Sequence, residues 1–166
     1  MKQSPSRAEE AVGLVSLWRG KDLKVSALSG GLTNENYLVE VNGERYVMRL
    51  PGTSTELLAI DRVNEVANAR AAASTGIGPQ VLEHISRLNI MVLEFIEGPT
   101  MSAAALQSAP MARRMADSFK RLHAAPRFLK DFDMFRLIEY YLGIVEEHEV
   151  TIPDGYRESQ EYPALT

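Results

Sequence analysis

The chain has no cysteine. That excludes a disulfide framework and any zinc site built on thiolates, and it makes an intracellular setting the simpler reading. An excess of positive charge is also missing: 18 Lys and Arg stand against 22 Asp and Glu, a net charge of -4. Binding along a nucleic acid needs a clustered surplus of Lys and Arg, so that class of partner is not expected. One bound nucleotide remains compatible with an acidic chain. Long apolar runs are absent as well. Residues 1–10 are polar and charged with no hydrophobic leader region, and no later stretch approaches the roughly 18 apolar residues of a spanning helix. The expectation is a soluble cytoplasmic protein without membrane contact. There is no internal repeat and no low-complexity tract.

What is present suffices for a core: 166 residues, 45% of them hydrophobic. Ala11, Leu14, Val15 and Trp18 share one face of a helix expected over residues 8–18, ending near Gly20. Residues 24–28, 36–41 and 44–50 read as three strands, rich in β-branched and aromatic side chains. A helix is expected over residues 61–75, with Asp61 as N-cap, Val63, Val66, Ala67 and Ala73 as packing positions, and Gly76 just past its end. Residues 81–85 and 88–94 read as a second hairpin, and Phe95-Ile96-Glu97-Gly98-Pro99 ends its last strand. Helical spacing then recurs over residues 111–123 and 132–150. The economical arrangement is α+β: a five-stranded antiparallel sheet with one packed helix, followed by helices.

Between the first two strands lies Gly30-Gly31-Leu32-Thr33-Asn34, and the second and third strands meet at Asn42-Gly43, a strong hairpin signal. A two-residue turn there sets Val41 opposite Glu44, Val39 opposite Tyr46, Leu38 opposite Val47 and Asn36 opposite Arg49. Leu38, Val47 and Arg49 then share a face, so two apolar groups could cover a flat base while the guanidinium reaches phosphates beside it. Gly30 and Gly31 lack Cβ atoms and let backbone N–H groups approach anionic oxygens, while Thr33 and Asn34 add side-chain donors. Arginine suits bidentate phosphate contact but needs a carboxylate to hold it, and Glu65 on the following helix is the candidate. Taken alone, a Gly-Gly turn, a strand-end Arg and a helix Glu are each usually structural or solvated. Their joint order is what points to a nucleotide lobe.

Leu28-Ser29-Gly30-Gly31-Leu32-Thr33-Asn34-Glu35-Asn36-Tyr37, then Tyr46-Val47-Met48-Arg49-Leu50-Pro51-Gly52, Gly76-Ile77-Gly78-Pro79 and Leu93-Glu94-Phe95-Ile96-Glu97-Gly98 together resemble the choline/ethanolamine kinase family, within the aminoglycoside-phosphotransferase-like branch of the protein-kinase fold. The resemblance covers roughly residues 23–123. It implies an N-lobe over residues 1–98 with a hinge at 94–98, an incomplete helical C-lobe over 99–166, and ATP held between the lobes. It further implies that Gly30, Gly31, Thr33 and Asn34 contact phosphates and that Arg49 bridges them to Glu65. Leu38 and Val47 would roof the adenine, and the backbone of Glu94, Phe95 and Ile96 would read its edge.

The family transfers a phosphoryl group with an Asp in a His-x-Asp-x-x-x-x-Asn loop and a later Asp that holds Mg²⁺. Neither motif occurs: His84, His123 and His148 are followed by Ile-Ser, Ala-Ala and Glu-Val. Asp131-Phe132-Asp133 falls at a loop-to-helix junction, so neither a catalytic nor a metal-binding residue is expected in this chain. The expectation is the N-terminal portion of an ATP-dependent kinase of choline or a similar amino alcohol, inactive by itself. Other acceptors of this fold class, thiamine, aminoglycosides and sugars, stay open. So does a non-catalytic nucleotide-binding or interaction module that associates through helices at 111–150.

Overall fold

A computed structural model describes residues 6–31, 33–53 and 58–151. Leu32 of the glycine loop and the polar stretch beyond Thr151 lie outside the described residues. The chain divides into two compact units, Met1–Lys130 and Asp131–Thr166.

In the first unit, β1 (Leu23–Leu28), β2 (Asn34–Val41), β3 (Glu44–Pro51), β4 (Val81–Ile85) and β5 (Ile90–Glu94) form one antiparallel sheet in the order β1-β2-β3-β5-β4. Asn42 and Gly43 take φ of 52° and 85°, the left-handed pair that a type I′ turn requires. The turn yields the expected pairing, Val41 with Glu44, Val39 with Tyr46, Leu38 with Val47 and Asn36 with Arg49. Alternation then divides the sheet into two faces. Val39, Val41, Met48, Leu50, Ile90 and Val92 bury one face against Ala8, Ala11, Val15 and Trp18. On the other, Met91 and Leu93 pack with Val66, and Val47 and Val81 flank them. Truncating a fully buried side chain such as Met48 typically costs about 2–5 kcal/mol.

The N-terminal helix is shorter than its apolar spacing predicts. α1 spans Arg7–Val12, opened by a Ser6/Glu9 capping box, and Ser16–Trp18 form a separate 3₁₀ turn. The cause is tertiary. The Glu83 carboxylate on β4 accepts hydrogen bonds from the Ser16 amide (2.9 Å), the Ser16 hydroxyl (2.9 Å) and the Leu17 amide (3.1 Å), amides that a continuing helix would have bonded internally. Ala11, Val15 and Trp18 reach the core all the same.

α2 spans Arg62–Ser74, with Asp61 capping it by accepting from the Asn64 amide at 3.0 Å. Val66 and Ala73 are buried, seven residues apart. Val63 is not a packing position: it is 70% exposed, on a stripe with Arg70 and Ser74 that faces away from the sheet. β5 begins at Ile90 and not at residue 88, because Ser86–Leu88 form a 3₁₀ turn and Asn89 at φ 52° redirects the chain. α3 (Ala103–Leu106), which the sequence pattern did not announce, precedes α4 (Ala109–His123).

In the second unit α5 runs from Met134 to Glu147. Asp133 is its N-cap and accepts from the Phe135 and Arg136 amides at 3.0 and 3.1 Å, which accounts for an acidic residue at that junction. Among the described residues no helix is long and apolar enough to cross a membrane.

Burial raises the Glu83 pKa, but the Ser16 and Leu17 amides, the Ser16 hydroxyl and nearby Arg19 outweigh it, so the carboxyl lies below its ordinary value of 4.5. The unfolded chain therefore binds the proton more readily. The stabilisation is present in full above pH 4.5 and is lost as pH falls through the lower folded value. We expect Glu83→Gln to lower unfolding free energy at pH 7 by about 1 kcal/mol, with a smaller deficit near pH 3. Urea unfolding at both pH values checks this, and a pH-independent deficit would refute the charge argument.

Candidate functional site

The second face of the sheet carries a cluster of polar and charged side chains from three consecutive elements. β2 contributes Asn34 and Asn36, β3 contributes Arg49, and the first turn of α2 contributes Arg62 and Glu65. Arg49 donates through Nε to Asn36 Oδ1 at 3.1 Å, the pairing that the hairpin register sets up. Its Nη1 stands 3.7 Å from Glu65 Oε1. The nearer cation to Glu65 is Arg62, whose Nη1 lies 2.7 Å from Oε2. Arg62 Nη1 also donates to Asn34 Oδ1 at 2.8 Å, and Asn34 Nδ2 donates to Glu65 Oε1 at 3.3 Å. Asn34, Arg62 and Glu65 thus close a triangle, with Arg49 on its open side.

The glycine loop abuts this cluster. Gly30 and Gly31 have φ of 96° and 104°, where L side chains are strained. A Cβ on Gly31 would stand 2.6 Å from the Asn34 carbonyl oxygen and 3.0 Å from Asn36 Nδ2, whereas one on Gly30 would meet nothing within 4 Å. Gly31 is therefore required by the close approach of the loop to its own strand, whatever else approaches it. The Thr33 carbonyl accepts from the Gly52 amide at 3.0 Å and joins the outer ends of β2 and β3.

Leu38 and Val47 sit opposite each other on the same face, both half-buried, and Val47 touches the Val66, Met91 and Leu93 cluster. Glu94 ends β5 opposite Tyr46. Its amide is donated to the Gln80 carbonyl at 3.0 Å, so that group already serves the sheet. Beyond it, Phe95 lies under the Arg45 guanidinium, 4.6 Å from the ring centre, and Arg45 pairs with Glu97. Ile96 is 59% exposed. The connector is thereby tied to β3, the strand that also carries Val47 and Arg49.

The segment after α4 secures α2. Leu129 donates its amide to Asn68 Oδ1 at 3.1 Å, and Lys130 pairs with Asp61. The Lys130 ammonium and the Asn64 amide hold the Asp61 carboxyl below its ordinary value. His123 closes α4 with its ring stacked on Phe119, and among the described residues no group of three or more His, Cys, Asp or Glu converges as a metal site.

The glycine loop, Asn34, Arg49 and Glu65 are thus neighbours, with Leu38 and Val47 on the same face. The sequence reading passed over Arg62 and did not count Asn36 among the site residues. The i,i+3 spacing of Arg62 and Glu65 beside an N-cap, and the Asn36–Arg49 register, are the signals that carried them.

The sequence profile of the choline/ethanolamine kinases matches residues 25–162. The chain belongs to that family. A choline/ethanolamine kinase family protein from Mesorhizobium loti is 30% identical, with a TM-score of 0.69 over 91% of this chain and 48% of that one. LicA in complex with AMP is 25% identical, also with a TM-score of 0.69, over 93% of this chain and 54% of that one. Protein LicA of Haemophilus influenzae is 24% identical over 119 residues, which are 70% of this chain and 35% of that protein. The chain therefore spans about half the length of the solved relatives and about a third of the curated one. The α+β architecture with its five-stranded antiparallel sheet is that of the family.

Gly31→Ala should destabilise the protein by about 2 kcal/mol, from a strained φ plus a backbone clash, and should cost more than Gly30→Ala. Thermal unfolding of the two variants checks the order, and equal losses would mean the loop relaxes freely.

Proposed function

We propose that this chain forms the nucleotide-binding part of an ATP-dependent kinase that phosphorylates a hydroxyl of choline or a similar amino alcohol. The observation that carries the reading is the juxtaposition on one sheet face of a glycine loop, a cationic Arg49 beside Glu65, and an apolar pair that continues toward the Phe95–Ile96 connector. Family membership and the AMP bound by LicA support a nucleotide as the ligand. In this reading Gly30, Gly31, Thr33 and Asn34 meet the phosphates, Arg49 bridges them to Glu65, and Leu38 and Val47 cover the adenine. The Glu94 carbonyl with the Phe95 and Ile96 backbone reads the base edge. Residues 1–98 act as the N-lobe, with a hinge at 94–98, and residues 99–166 begin the helical lobe. The setting is cytoplasmic.

Phosphoryl transfer also needs an acceptor-activating Asp and metal-holding carboxylates. Mg²⁺ would neutralise charge on the transferring phosphates, but no convergent carboxylate group among the described residues fits it. The part of this machinery that we propose for the described residues is nucleotide binding. The acceptor remains a family-level assignment, with thiamine, aminoglycosides and sugars as the other candidates.

A non-catalytic module is the second reading. It is favoured by the outward-facing Met115 and Phe119 on α4, which would serve as an association surface.

Arg49→Ala should weaken ATP binding about tenfold, the worth of one charge-assisted hydrogen bond, with little change in thermal midpoint. Isothermal titration alongside thermal unfolding checks this. Equal ATP affinity in the two proteins would refute the phosphate role, and absence of ATP binding by the wild-type chain would refute the reading as a whole.

A further inference from the structure

Resting on the nucleotide-binding reading, we infer that Asn36 is a positioning residue of the phosphate site: its side-chain carbonyl fixes the Nε edge of Arg49, so that the Nη groups of the guanidinium are held ready for an anionic ligand beside the glycine loop. Three observations carry this. Asn36 stands directly opposite Arg49 in the pairing of β2 with β3, and Arg49 Nε donates to Asn36 Oδ1 at 3.1 Å. Among the described residues this is the hydrogen bond that Arg49 makes, since Glu65 Oε1 lies 3.7 Å from Nη1, outside hydrogen-bond reach. The other end of the same amide lies against the glycine loop: a Cβ on Gly31 would stand 3.0 Å from Asn36 Nδ2. One short side chain therefore links the loop to the cation.

The residue types suit that role. A guanidinium has donors on more than one edge, so it can be tethered through Nε and still offer its Nη groups, whereas the single ammonium of a lysine could not do both. A neutral amide orients Arg49 without cancelling its charge, which a carboxylate at position 36 would do. The Arg49 side chain is 34% exposed, and once released from Asn36 it is free to turn into water or toward Glu65. The ordering that Asn36 supplies beforehand would then have to be met at binding, at the expense of affinity. Asn36 acts through Arg49 and need not touch the ligand.

The test is a double-variant cycle on the full chain, read by isothermal titration with ADP and with adenosine. Asn36→Ala should weaken ADP about fivefold and leave adenosine within about twofold. In the Arg49→Ala background the same change should alter ADP affinity by less than about twofold, because the group it positions is gone. A merely structural Asn36 predicts parallel losses for ADP and adenosine, and that pattern overturns the proposal. ADP losses that multiply in the double variant while adenosine holds would mean direct contact between Asn36 and the phosphates, which also overturns it. Should Asn36→Ala fail to fold, Asn36→Val removes the same acceptor, suits a strand better and carries the same expectations. A wild-type chain that binds neither ligand fails the nucleotide reading and the Asn36 role together. Weakened ADP binding in Arg49→Ala with wild-type ADP affinity in Asn36→Ala fails the Asn36 role alone.

Discussion

The register of β3 is the constraint on which both the core and the site depend. The Asn42–Gly43 turn locks β3 to β2, and alternation then sends Met48 and Leu50 into the layer beneath α1 while Val47 and Arg49 face α2. A slip of one residue would exchange the two sets. It would press the Arg49 guanidinium into the apolar layer around Trp18 and Val39 and turn Met48 toward the polar cluster. Burying an unpaired guanidinium costs several kcal/mol, so the hydrophobic core enforces the geometry of the charged face. Strand β5 strengthens the lock, since its four residues Ile90–Leu93 are buried alternately on one face and the other.

On that second face, packing and electrostatics are joined in a single turn of helix. Val66 anchors α2 to Met91 and Leu93, and its neighbours Arg62 and Glu65 are thereby carried to Asn34 and Arg49. The start of the helix is held by Asp61 and Lys130, and its middle by Asn68 and the Leu129 amide. A shift of α2 would thus be felt at once in the sheet, in the segment after α4 and in the charge cluster. At the other end of β3, Arg45 ties the connector through Phe95 and Glu97. The strand that sets Val47 and Arg49 therefore also sets the connector.

The hairpin, its partners and the cap of α2 were legible because each follows from short-range chemistry: a two-residue turn with its side-chain period of two, and an Asp one residue before a helix. The readings that changed are those in which a distant group intervened. The 8–18 helix was interrupted because Glu83, more than sixty residues away, takes the Ser16 and Leu17 amides. Val63 stays in solvent although its spacing suits packing, because a weakly amphipathic helix leaves open which stripe faces the sheet, and only the position of β5 decides it. In the sequence, Arg62 is a cation at a helix start, indistinguishable from a solvated side chain until Asn34 and Glu65 are placed beside it.

By itself, then, the sequence determined the strands, the pairing of β2 with β3, and the residues Leu38, Val47 and Arg49 as neighbours on one face, since these depend on adjacent residues and on backbone geometry alone. Tertiary structure decided which cation Glu65 prefers, why Gly31 tolerates no side chain, and where the first helix ends. Those outcomes depend on distances between elements that only the packing of α1 and α2 on opposite faces of the sheet establishes.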